Sequence, residues 1–485
     1  MTPVRKGAVA VLIVFLLSRA LCFLAGVRFD PTPLPFYWQY IEPDLLREDL
    51  LRSLAHLHGQ PPLFNLFLGV VLKVFPGREE LAFSGAFRVL GLLVTLGGYA
   101  LMIRLGASTR AATLAAGMFA ISPANILYEN WLFYPIPVAF LLVAAALCLH
   151  RFLLHRAALD ALFFFLVTAC VSLTWSFFHL LWLLASLVLL VGVLRSARRK
   201  LVLAALAPLL LACLWYGKNL VMHGQFSASA WMGMNFARIA TIQIPKPERQ
   251  ALVDSGELTP LAMIHPFSPL RAYEELIEKP PHTGLPLLDR ERKKSGADNL
   301  HHLAYIEISR GYARDALSVV TRHPSAYARG IRNSFLLFFR PSDDYDQVAE
   351  NRRRLGGWPR LYDFVVLGQI LNQPPNFDLD THESSGYLAR MVFSLGLLWM
   401  VAYSMSIRWA WRIWRRSGRG SRRALADRIT LGWMGGNLVY VFLVGNLTEF
   451  GENQRFRFVV DPFVWVFLAV HVSSWLSPSR IQSKG

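Results

Sequence analysis

Long apolar runs separated by short polar segments dominate this 485-residue chain. A helix that crosses a bilayer core needs about 20 predominantly apolar residues, and runs of this kind recur from end to end. We predict membrane-spanning helices near residues 7–27, 81–103, 111–127, 131–149, 159–178, 179–194, 201–222, 389–411, 430–447 and 458–476. The pattern therefore predicts an all-α membrane protein, a polytopic helical bundle of about ten crossings.

Three stretches interrupt this pattern and divide the chain. Residues 28–62 form a polar loop with leucines at helical spacing, which predicts amphipathic helices. Residues 63–76 are apolar but too short to cross a bilayer, so we expect an interfacial or half-inserted helix. A hydrophilic insert, 223–388, predicts a mainly helical cap, with a possible re-entry near residues 331–339. The insert separates an N-terminal membrane module, 1–222, from C-terminal membrane helices within 389–485.

Composition and charge support a membrane partner rather than a nucleic acid. Hydrophobic residues make up 54% of the chain and its mean hydropathy is +0.37, which is too apolar for a soluble protein of this size. The net charge is +18. The basic residues, however, cluster in short segments such as 195–200 and 408–423, between apolar runs. The positive-inside rule predicts such clusters for cytoplasmic loops, and this argues against nucleic-acid binding.

The same clusters predict the topology. With Arg5 and Lys6 in the cytoplasm, ten crossings place both termini and the basic clusters inside, whereas a full crossing by residues 63–76 would put the 195–200 cluster outside. Polar stretches from distant parts of the chain then meet at the outer face: 28–62, 128–134, 175–179, the insert and 448–457. We therefore expect the chemistry of the protein to lie at that face.

Cofactor chemistry finds no support in the motifs. The four cysteines all lie in apolar runs without CxxC spacing, which predicts buried thiols rather than disulfides or metal ligands. HExxH, P-loop and GxSxG motifs do not occur. We predict no cofactor and no metal site from spacing, although the sequence leaves open whether a divalent ion assists. The apolar N-terminal run is longer than a typical signal-peptide core, so we expect a retained first helix.

Carboxylates in the first outer loop are the leading catalytic candidates. Asp30 directly follows the first span, and among aromatic neighbours it would suit a general base that deprotonates an acceptor hydroxyl. The alternative is an aspartate that starts a turn ahead of Pro31. Glu42 and Asp44 form a second acidic pair, for which the simpler explanation is that Asp44 caps a helix over residues 45–57.

Further polar residues are candidates for substrate binding. His58, followed by Gln60 in the same loop, could hydrogen-bond a phosphate or a sugar hydroxyl, or could be a satisfied interfacial histidine. Arg88 lies within a predicted span, where snorkelling to the interface is the default and contact with a donor phosphate is the alternative. Arg19 poses the same choice.

The late loop between two spans supplies arginines suited to phosphate. Glu452, Arg455 and Arg457 lie there, and arginine forks match phosphate oxygens bidentately, more strongly near a low-dielectric boundary. The alternative is an ion-paired loop in which Glu452 neutralises Arg455.

Two short stretches carry a family resemblance. The first is HGQPPLFN at residues 58–65 and the second is ENQRFR at residues 452–457, and they accompany an acidic residue directly after the first helix. Together they resemble the GT-C superfamily of polytopic glycosyltransferases, in particular bacterial relatives of the dolichyl-phosphate-mannose–protein mannosyltransferases and of the lipid A aminoarabinose transferases. The resemblance covers roughly 1–222 and 430–476 and is weak over the insert.

The resemblance implies an activity and a set of roles. Such enzymes use a polyprenyl-phosphate-linked sugar and a catalytic acid in the first outer loop, which favours Asp30 here, with Asp44 or Glu42 behind it. Many members have an adjacent Asp-Glu pair at the end of the first helix, where this chain has Phe29-Asp30-Pro31. A bacterial inner-membrane location and a lipid, glycan or protein acceptor follow from the same resemblance.

The chemistry is consistent with one base and one cation. A departing phosphate needs no general acid, so a carboxylate that deprotonates the acceptor and an arginine on the phosphate would complete an inverting displacement. We therefore predict a membrane glycosyltransferase acting at the outer face. The rivals are a transporter or flippase of a lipid-linked saccharide, which inverted repeats would favour but the sequence does not contain, and a non-catalytic lipid-binding protein.

Overall fold

Helices build all of the regular structure in the computed structural model, which describes residues 1–371, 392–415 and 421–476. Those residues contain no β-strand, and their bridges are the isolated pairs Asp30 with Trp131 and Arg292 with Asp298. The predicted all-α class is confirmed for this part of the chain.

The helices before the insert are, in chain order, α1 (Pro3–Leu24), α2 (Pro33–Phe36), α3 (Pro43–Glu48), α4 (Leu50–His56), α5 (Pro62–Val74), α6 (Glu79–Arg104), α7 (Thr109–Ala120), α8 (Pro123–Glu129), α9 (Pro135–His155), α10 (Ala158–Thr174), α11 (Leu180–Val193) and α12 (Arg198–His223).

The insert and the C-terminal part contain α13 (Met232–Ile239), α14 (Lys246–Asp254), α15 (Pro286–Asp289), α16 (Ala304–Arg322), α17 (Pro324–Phe338), α18 (Ala349–Arg354), α19 (Trp358–Tyr362), α20 (Leu397–Arg415), α21 (Arg422–Thr448), α22 (Asn453–Phe458) and α23 (Asp461–Leu476). Short 3₁₀ turns occur at Arg195–Ala197, Thr241–Gln243, Pro260–Met263, Leu270–Ala272 and Asp346–Val348, and a π turn at Asp363–Leu367.

Five helices of the described residues are long and apolar enough to cross a membrane: α1, α6, α9, α12 with its preceding turn, and α21. The pair α7 and α8, bent by 54° at its break, is a sixth candidate. The predicted count of about ten is not confirmed, because α10, α11 and α23 have 17, 14 and 16 residues. A 14-residue helix is about 21 Å long, against a hydrocarbon core of about 30 Å.

The span predicted at 389–411 begins in residues outside the described ranges, and its helix α20 runs from Leu397 to Arg415. The basic C-terminal tail after residue 476 also lies outside them, so the predicted location of the C-terminus stays a prediction. The short apolar segment predicted at 63–76 is α5, a helix of 13 residues.

Small residues let α20 and α21 pack closely. A Cβ on Gly432 would lie 2.4 Å from the Trp414 ring, and one on Gly435 would lie 2.3 Å from the Ala410 Cβ. Such close approach of helix backbones is typical of membrane bundles, where packing replaces the hydrophobic driving force.

Basic residues gather at one end of the bundle. Arg423 donates from Nη2 to the Arg104 carbonyl at 3.3 Å, and Lys200 donates from Nζ to the Arg156 carbonyl at 3.3 Å. Three segments lie together at the opposite end, as the contacts below describe. They are residues 28–62, which we call the first outer loop, the insert, and residues 448–457, which we call the late loop. The predicted convergence of distant polar stretches is therefore present, and which end faces the cytoplasm stays a prediction.

The first outer loop differs locally from its prediction. The helix expected over residues 45–57 starts at Pro43 and breaks at Asp49, so that two short helices, α3 and α4, stand in its place. Asp44 lies in the first turn of α3 rather than at its N-cap, which is Glu42. Within the insert, the C-terminal end of α17 packs among the bundle helices: the Phe338 ring lies 5.6 Å from Tyr403 of α20 and 5.4 Å from Phe442 of α21.

Candidate active site

Asp30 is held by its backbone against the segment Trp131–Phe133. The Asp30 amide donates to the Asn130 carbonyl at 2.8 Å, and the Leu132 amide donates to the Asp30 carbonyl at 3.1 Å. Gly26, at φ 90°, allows the chain to leave α1 and turn toward this pairing. Asp30 therefore has a fixed position beside the turn that precedes α9.

One carboxylate oxygen of Asp30 is available for chemistry. Oδ1 accepts from the Thr32 amide at 3.0 Å and from the Thr32 hydroxyl at 2.6 Å, as the turn alternative expected. No hydrogen bond within the described residues reaches Oδ2. The half-buried side chain lines a cavity of about 170 Å³ together with Trp131, Gln347 and Asn351. A turn former and a base are thus compatible roles, because each uses a different oxygen.

Tyr37 connects Asp30 electrostatically with the late loop. Its hydroxyl accepts from Trp131 Nε1 at 2.9 Å and donates to Gln347 Oε1 at 2.6 Å. Burial raises the pKa of Tyr37, and the negative charges of Asp30 and Glu452 add to that effect while Arg455 opposes it. Asp30 from the start of the chain and Glu452 and Arg455 from its end therefore all influence the pKa of Tyr37.

Arg455 lies in an aromatic cage. Its guanidinium carbon is 4.8 Å from the centroid of Phe133, 5.4 Å from Tyr134, 5.6 Å from Trp175 and 4.9 Å from Phe456, all within cation–π range. These four rings come from the segment before α9, the turn before α11 and α22. They surround a side chain that is only 2% exposed.

Two of the Arg455 donor nitrogens are unused. Nη2 pairs with Glu452, whereas Nε and Nη1 are buried and make no hydrogen bond of good geometry among the described residues, although the guanidinium also interacts with the Tyr134 hydroxyl. Buried guanidinium nitrogens normally find acceptors, since leaving a buried donor unpaired costs about 1–3 kcal/mol or more for a charged group. Nη1 lies at the end of the guanidinium and Nε on its side, so each can donate a separate hydrogen bond to an oxyanion, whereas a bidentate contact would also need Nη2, which pairs with Glu452.

Glu452, the ion-pair partner of Arg455, is held in place by a hydrogen bond from the insert. Glu452 accepts a hydrogen bond from the Tyr345 hydroxyl at 3.0 Å. Burial opposes ionisation of Glu452, but Arg455 and Arg238 outweigh it and lower the pKa of this carboxyl. The ion pair between Glu452 and Arg455, which was the alternative for this loop, is thus present. It uses Nη2 of the guanidinium and not Nε or Nη1.

Arg457, grouped with Arg455 from the sequence, is saturated by the protein. Nη1 donates to the carbonyls of Phe338 and Arg340 at 2.6 and 2.9 Å, and Nη2 donates to the Ser342 hydroxyl at 2.8 Å. Nε donates to Asp461 at 3.2 Å. These contacts join α22 to the end of α17. They use all three guanidinium nitrogens of Arg457.

Glu42 and Asp44 face the insert. Glu42, 5% exposed, accepts from Arg290 Nη1 at 2.9 Å and from the Lys294 amide at 2.6 Å. Lys294 Nζ pairs with Asp44 at 2.5 Å and lowers the pKa of that carboxyl. The structure therefore shows both acids in contacts that join the insert to the first outer loop, and their catalytic role stays a prediction.

His58 is buried beside the insert rather than presented to a ligand cavity. Nε2 lies 2.8 Å from the His301 carbonyl, and burial lowers the pKa of His58 to about 3, so the ring is neutral. Gly59 is pressed against Trp231, where a Cβ would lie 2.5 Å from the ring. Gln60 beside them is half-buried. The satisfied-histidine alternative holds for Nε2, whereas Nδ1 is buried without a hydrogen-bond partner among the described residues.

Arg19 and Arg88 lie near one buried carboxylate. Arg19 Nη2 pairs with Glu129 at 2.5 Å, and Arg19 Nε lies 3.1 Å from the same oxygen. Arg88 is exposed on α6 and close enough to act electrostatically on Glu129. The Arg19–Glu129 pair joins residues 110 positions apart and could not be predicted from a local pattern; it directs the Arg19 side chain to a buried carboxylate inside the protein.

Other site residues were also beyond sequence reasoning. Tyr345 and Arg238 belong to the insert, and Arg238 Nη1 donates to Glu449 at 3.0 Å. Burial raises the pKa of Glu449 to about 7 although Arg238 opposes the shift. The location of Glu449 in the late loop was the one feature that the sequence could show. Arg238 and Tyr345 are more than 100 positions away from the late-loop carboxylates that they contact.

An apolar groove leads toward the aromatic cage. It has a volume of about 490 Å³ and lies between α11, α20 and α21, lined by Leu181, Trp182, Leu189, Trp411, Trp414, Gly432, Trp433, Gly436 and Tyr440. At one end the Tyr440 hydroxyl donates to the Phe177 carbonyl at 2.7 Å. The Phe177 ring stacks on Trp175 at 4.6 Å, and Trp175 is a wall of the cage.

Within the described residues, no group of three or more histidine, cysteine or carboxylate side chains is arranged to hold a metal ion.

Comparisons with known proteins give limited information. No family model matches the chain, and no curated protein matches it. The archaeal oligosaccharyltransferase AglB from Archaeoglobus fulgidus, solved with an inhibitory peptide and a dolichol-phosphate, is 13% identical with a TM-score of 0.42. The apo crystal structure of the Archaeoglobus fulgidus oligosaccharyltransferase is 14% identical with a TM-score of 0.38.

Both alignments cover 98% of this chain and 51% of the other, so the chain spans about half the length of the solved proteins it matches. At this level of similarity neither structure determines the fold or the activity of the chain.

Proposed function

We propose that the protein is a membrane glycosyltransferase that moves a sugar from a lipid-phosphate donor to an acceptor hydroxyl, at the bundle end that carries the insert. The observation that supports the proposal is that Asp30 and Arg455 both contact the segment 130–133. Leu132 pairs with the Asp30 backbone, and the Phe133 ring lies 4.8 Å from the Arg455 guanidinium. A carboxylate and a guanidinium from opposite ends of the chain thus adjoin one short segment, and this supports their proposed roles as base and phosphate-binding cation.

Arg455 is proposed to bind the phosphate of the donor. Its Nε and Nη1 are buried donors that each can donate to a phosphate oxygen, and a bidentate contact would add Nη2, shared between Glu452 and the phosphate. The aromatic cage limits water around the guanidinium, which strengthens its attraction for the charge that builds up on a leaving phosphate. Opening of the cage to admit the phosphate is part of this proposal.

The apolar groove is proposed to hold the prenyl chain of the same donor. Its floor runs along α21 from Ile429 to Tyr440, about 16 Å at the rise of an α-helix. Tyr440, Phe177 and Trp175 connect its end with the cage. A lipid whose chain lay in the groove would bring its phosphate toward Arg455.

Asp30 is proposed to act as the general base. Its Oδ2 would take the proton of the acceptor hydroxyl as that oxygen bonds to the anomeric carbon and the bond from that carbon to the phosphate oxygen breaks. The lipid phosphate leaves with the electron pair of the broken bond, stabilised by Arg455, so no general acid is needed. Two carboxylates are required for glycoside hydrolysis because an alkoxide must be protonated as it leaves.

The remaining candidates take supporting roles in this proposal. Glu452 orients Arg455, and Arg457 fixes α22. Glu42, Asp44 and His58, with Gln60 beside it, hold the first outer loop against the insert. Arg88, exposed on α6, is proposed as a contact for lipid headgroups. A polyprenyl carrier, an outer-face site and a bacterial inner membrane remain our expectations from the sequence.

The test is a transfer assay with matched variants. Purified protein in liposomes is given polyprenyl phosphates that each carry one labelled hexose or pentose, with solubilised native membranes as the acceptor source. We expect Asp30→Asn to lose transfer by about a hundredfold or more, the range for a general base. Glu48→Gln removes an exposed carboxylate of the same loop and should leave the rate unchanged.

Two results would contradict the proposal: no transfer by the wild type from any donor of the panel, or full transfer by Asp30→Asn. Binding of the donor lipid should survive in Asp30→Asn, which separates loss of chemistry from loss of folding.

A further inference from the structure

The end of the bundle opposite the candidate active site contains a basic cavity. Its volume is about 350 Å³, within the range of about 300–1,000 Å³ typical of small-molecule sites. The lining residues are Arg104, His150, Arg151, Leu154, His155 and Arg423. They come from the C-terminal end of α6, the last two turns of α9 and the start of α21, so three helix ends form one concave surface.

Positive charge exceeds negative charge around this cavity. Arg151 pairs with Asp160 at 3.2 Å, and Asp427 accepts from His150 at 2.8 Å. The contacts of Arg104 and Arg423 that the structure describes include a hydrogen bond from Arg423 Nη2 to the Arg104 carbonyl at 3.3 Å, and no carboxylate pairs with either. Two guanidinium groups thus remain without an anion at one opening.

A buried histidine provides a second, independent indication of a ligand. His150 is 1% exposed and lines the cavity, yet its Nδ1 has no partner in the described residues. With Nε2 bonded to Asp427, Nδ1 would accept from a ligand hydroxyl, or donate to a phosphate oxygen when the ring is an imidazolium. The contact with Asp427 thereby leaves Nδ1 as the ring nitrogen open to a ligand.

From this cavity we infer a second anion site, for a phosphate group with adjacent hydroxyls. Arg104 and Arg423 bind the phosphate oxygens, and His150 binds a neighbouring hydroxyl or phosphate oxygen. The chemistry is that of an anionic phospholipid headgroup or of free phosphate. Basic cavities between membrane helices at this kind of interface are suited to such headgroups. The site is separate from the one proposed for transfer and does not depend on it.

The experiment is a thermal-unfolding titration of the full-length protein in detergent. The probes are phosphatidylglycerol, phosphatidylcholine and inorganic phosphate. We expect phosphatidylglycerol to raise the melting temperature at lower concentration than phosphatidylcholine does. Arg423→Gln should weaken that response about fivefold, which corresponds to about 1 kcal/mol for one arginine at a membrane surface.

Matched variants make the result decisive. Arg110→Gln removes an exposed arginine of the first turn of α7, which does not line the cavity, and should keep the wild-type response. Arg104→Gln serves as the second test if Arg423→Gln melts lower without lipid. Equal responses to the two lipids with none to phosphate, or equal weakening by Arg110→Gln and Arg423→Gln, would overturn the inference. A response to inorganic phosphate that matches the phosphatidylglycerol response would identify free phosphate as the ligand.

Discussion

Tyr345 donates its hydroxyl hydrogen bond to Glu452 at 3.0 Å. Tyr345 belongs to the insert, and Glu452 carries the ion pair with Arg455 in the late loop. The Tyr345 ring also lies 5.7 Å from Trp131, the residue that bridges Asp30. One side chain of the insert thus contacts both halves of the candidate active site.

We predict that Tyr345→Phe destabilises the protein by about 1.5–3 kcal/mol, the usual value for a hydrogen bond to a charged group. Unfolding in detergent measures the change. Tyr327→Phe is the matched control, because its hydroxyl donates to the neutral Leu447 carbonyl at 2.8 Å and should contribute about 0.5–1.5 kcal/mol. Equal losses in the two variants would show that the charge of Glu452 is not important.

We predict that Arg457→Lys acts on folding rather than on the donor. Lysine keeps the charge beside Asp461 but cannot reach two carbonyls, a hydroxyl and that carboxylate at once, so we expect a loss of about 1–3 kcal/mol, the cost of buried acceptors left unpaired. Thermal unfolding measures it, with the exposed Arg360→Lys as the control, expected within about 0.5 kcal/mol of wild type. A stable Arg457→Lys protein with weakened donor binding would instead restore the role predicted from the sequence.

The pH dependence of stability should contain a contribution from Glu449. Its pKa rises to about 7 in the folded protein, so between about pH 4.5 and 7 the folded state binds more protons than the unfolded state. Stability from this group is therefore present at low pH and lost as pH rises through 7. Glu449→Gln should flatten that part of the profile from pH 5 to 8, measured by thermal unfolding.

The control for Glu449 is Glu80→Gln, an exposed carboxylate at the start of α6, which should leave the slope unchanged. A Glu449→Gln profile that runs parallel to wild type would contradict the raised pKa.

Filling the apolar groove should block the donor. Gly436 lines the groove, and a Cβ there meets no atom within 4 Å, so Gly436→Trp places an indole in the groove without a backbone clash. We expect transfer and binding of the donor lipid to fall at least tenfold while the melting temperature stays near wild type. Gly217→Trp, at an equally open position of α12 outside the groove, is the control. Equal donor binding in both variants would exclude the groove as the lipid site.

Hydropathy predicted the helices well where one long apolar run forms one helix. The spans expected at 81–103 and 201–222 correspond to α6, Glu79–Arg104, and α12, Arg198–His223. The pattern does not reveal a kink: the run at 111–127 is two helices bent by 54° at Pro123. Proline at a helix start fixes φ but does not give the new direction.

The site was predictable only in part, for a physical reason. Asp30 and Arg455 could be singled out because a carboxylate beside a span end and an arginine between spans are rare and costly there. Glu42 looked equally suitable as a catalytic base. In the structure it is paired with Arg290, which lies 248 residues away in the chain. Partners at that distance in the chain leave no local pattern, so the division between structural and available carboxylates required the folded structure.

The central claim is that Arg455 binds the phosphate of a prenyl lipid. It is tested most directly by measuring how a short-chain polyprenyl phosphate and the matching polyprenol, which lacks the phosphate, stabilise the wild type and Arg455→Lys in detergent. We predict that the phosphate strengthens binding to the wild type and that Arg455→Lys reduces this advantage about tenfold, because a lysine ammonium cannot donate to the phosphate and to Glu452 from the several nitrogens of a planar guanidinium. Equal stabilisation of the wild type by the two lipids, or the same phosphate advantage in both proteins, would contradict the claim.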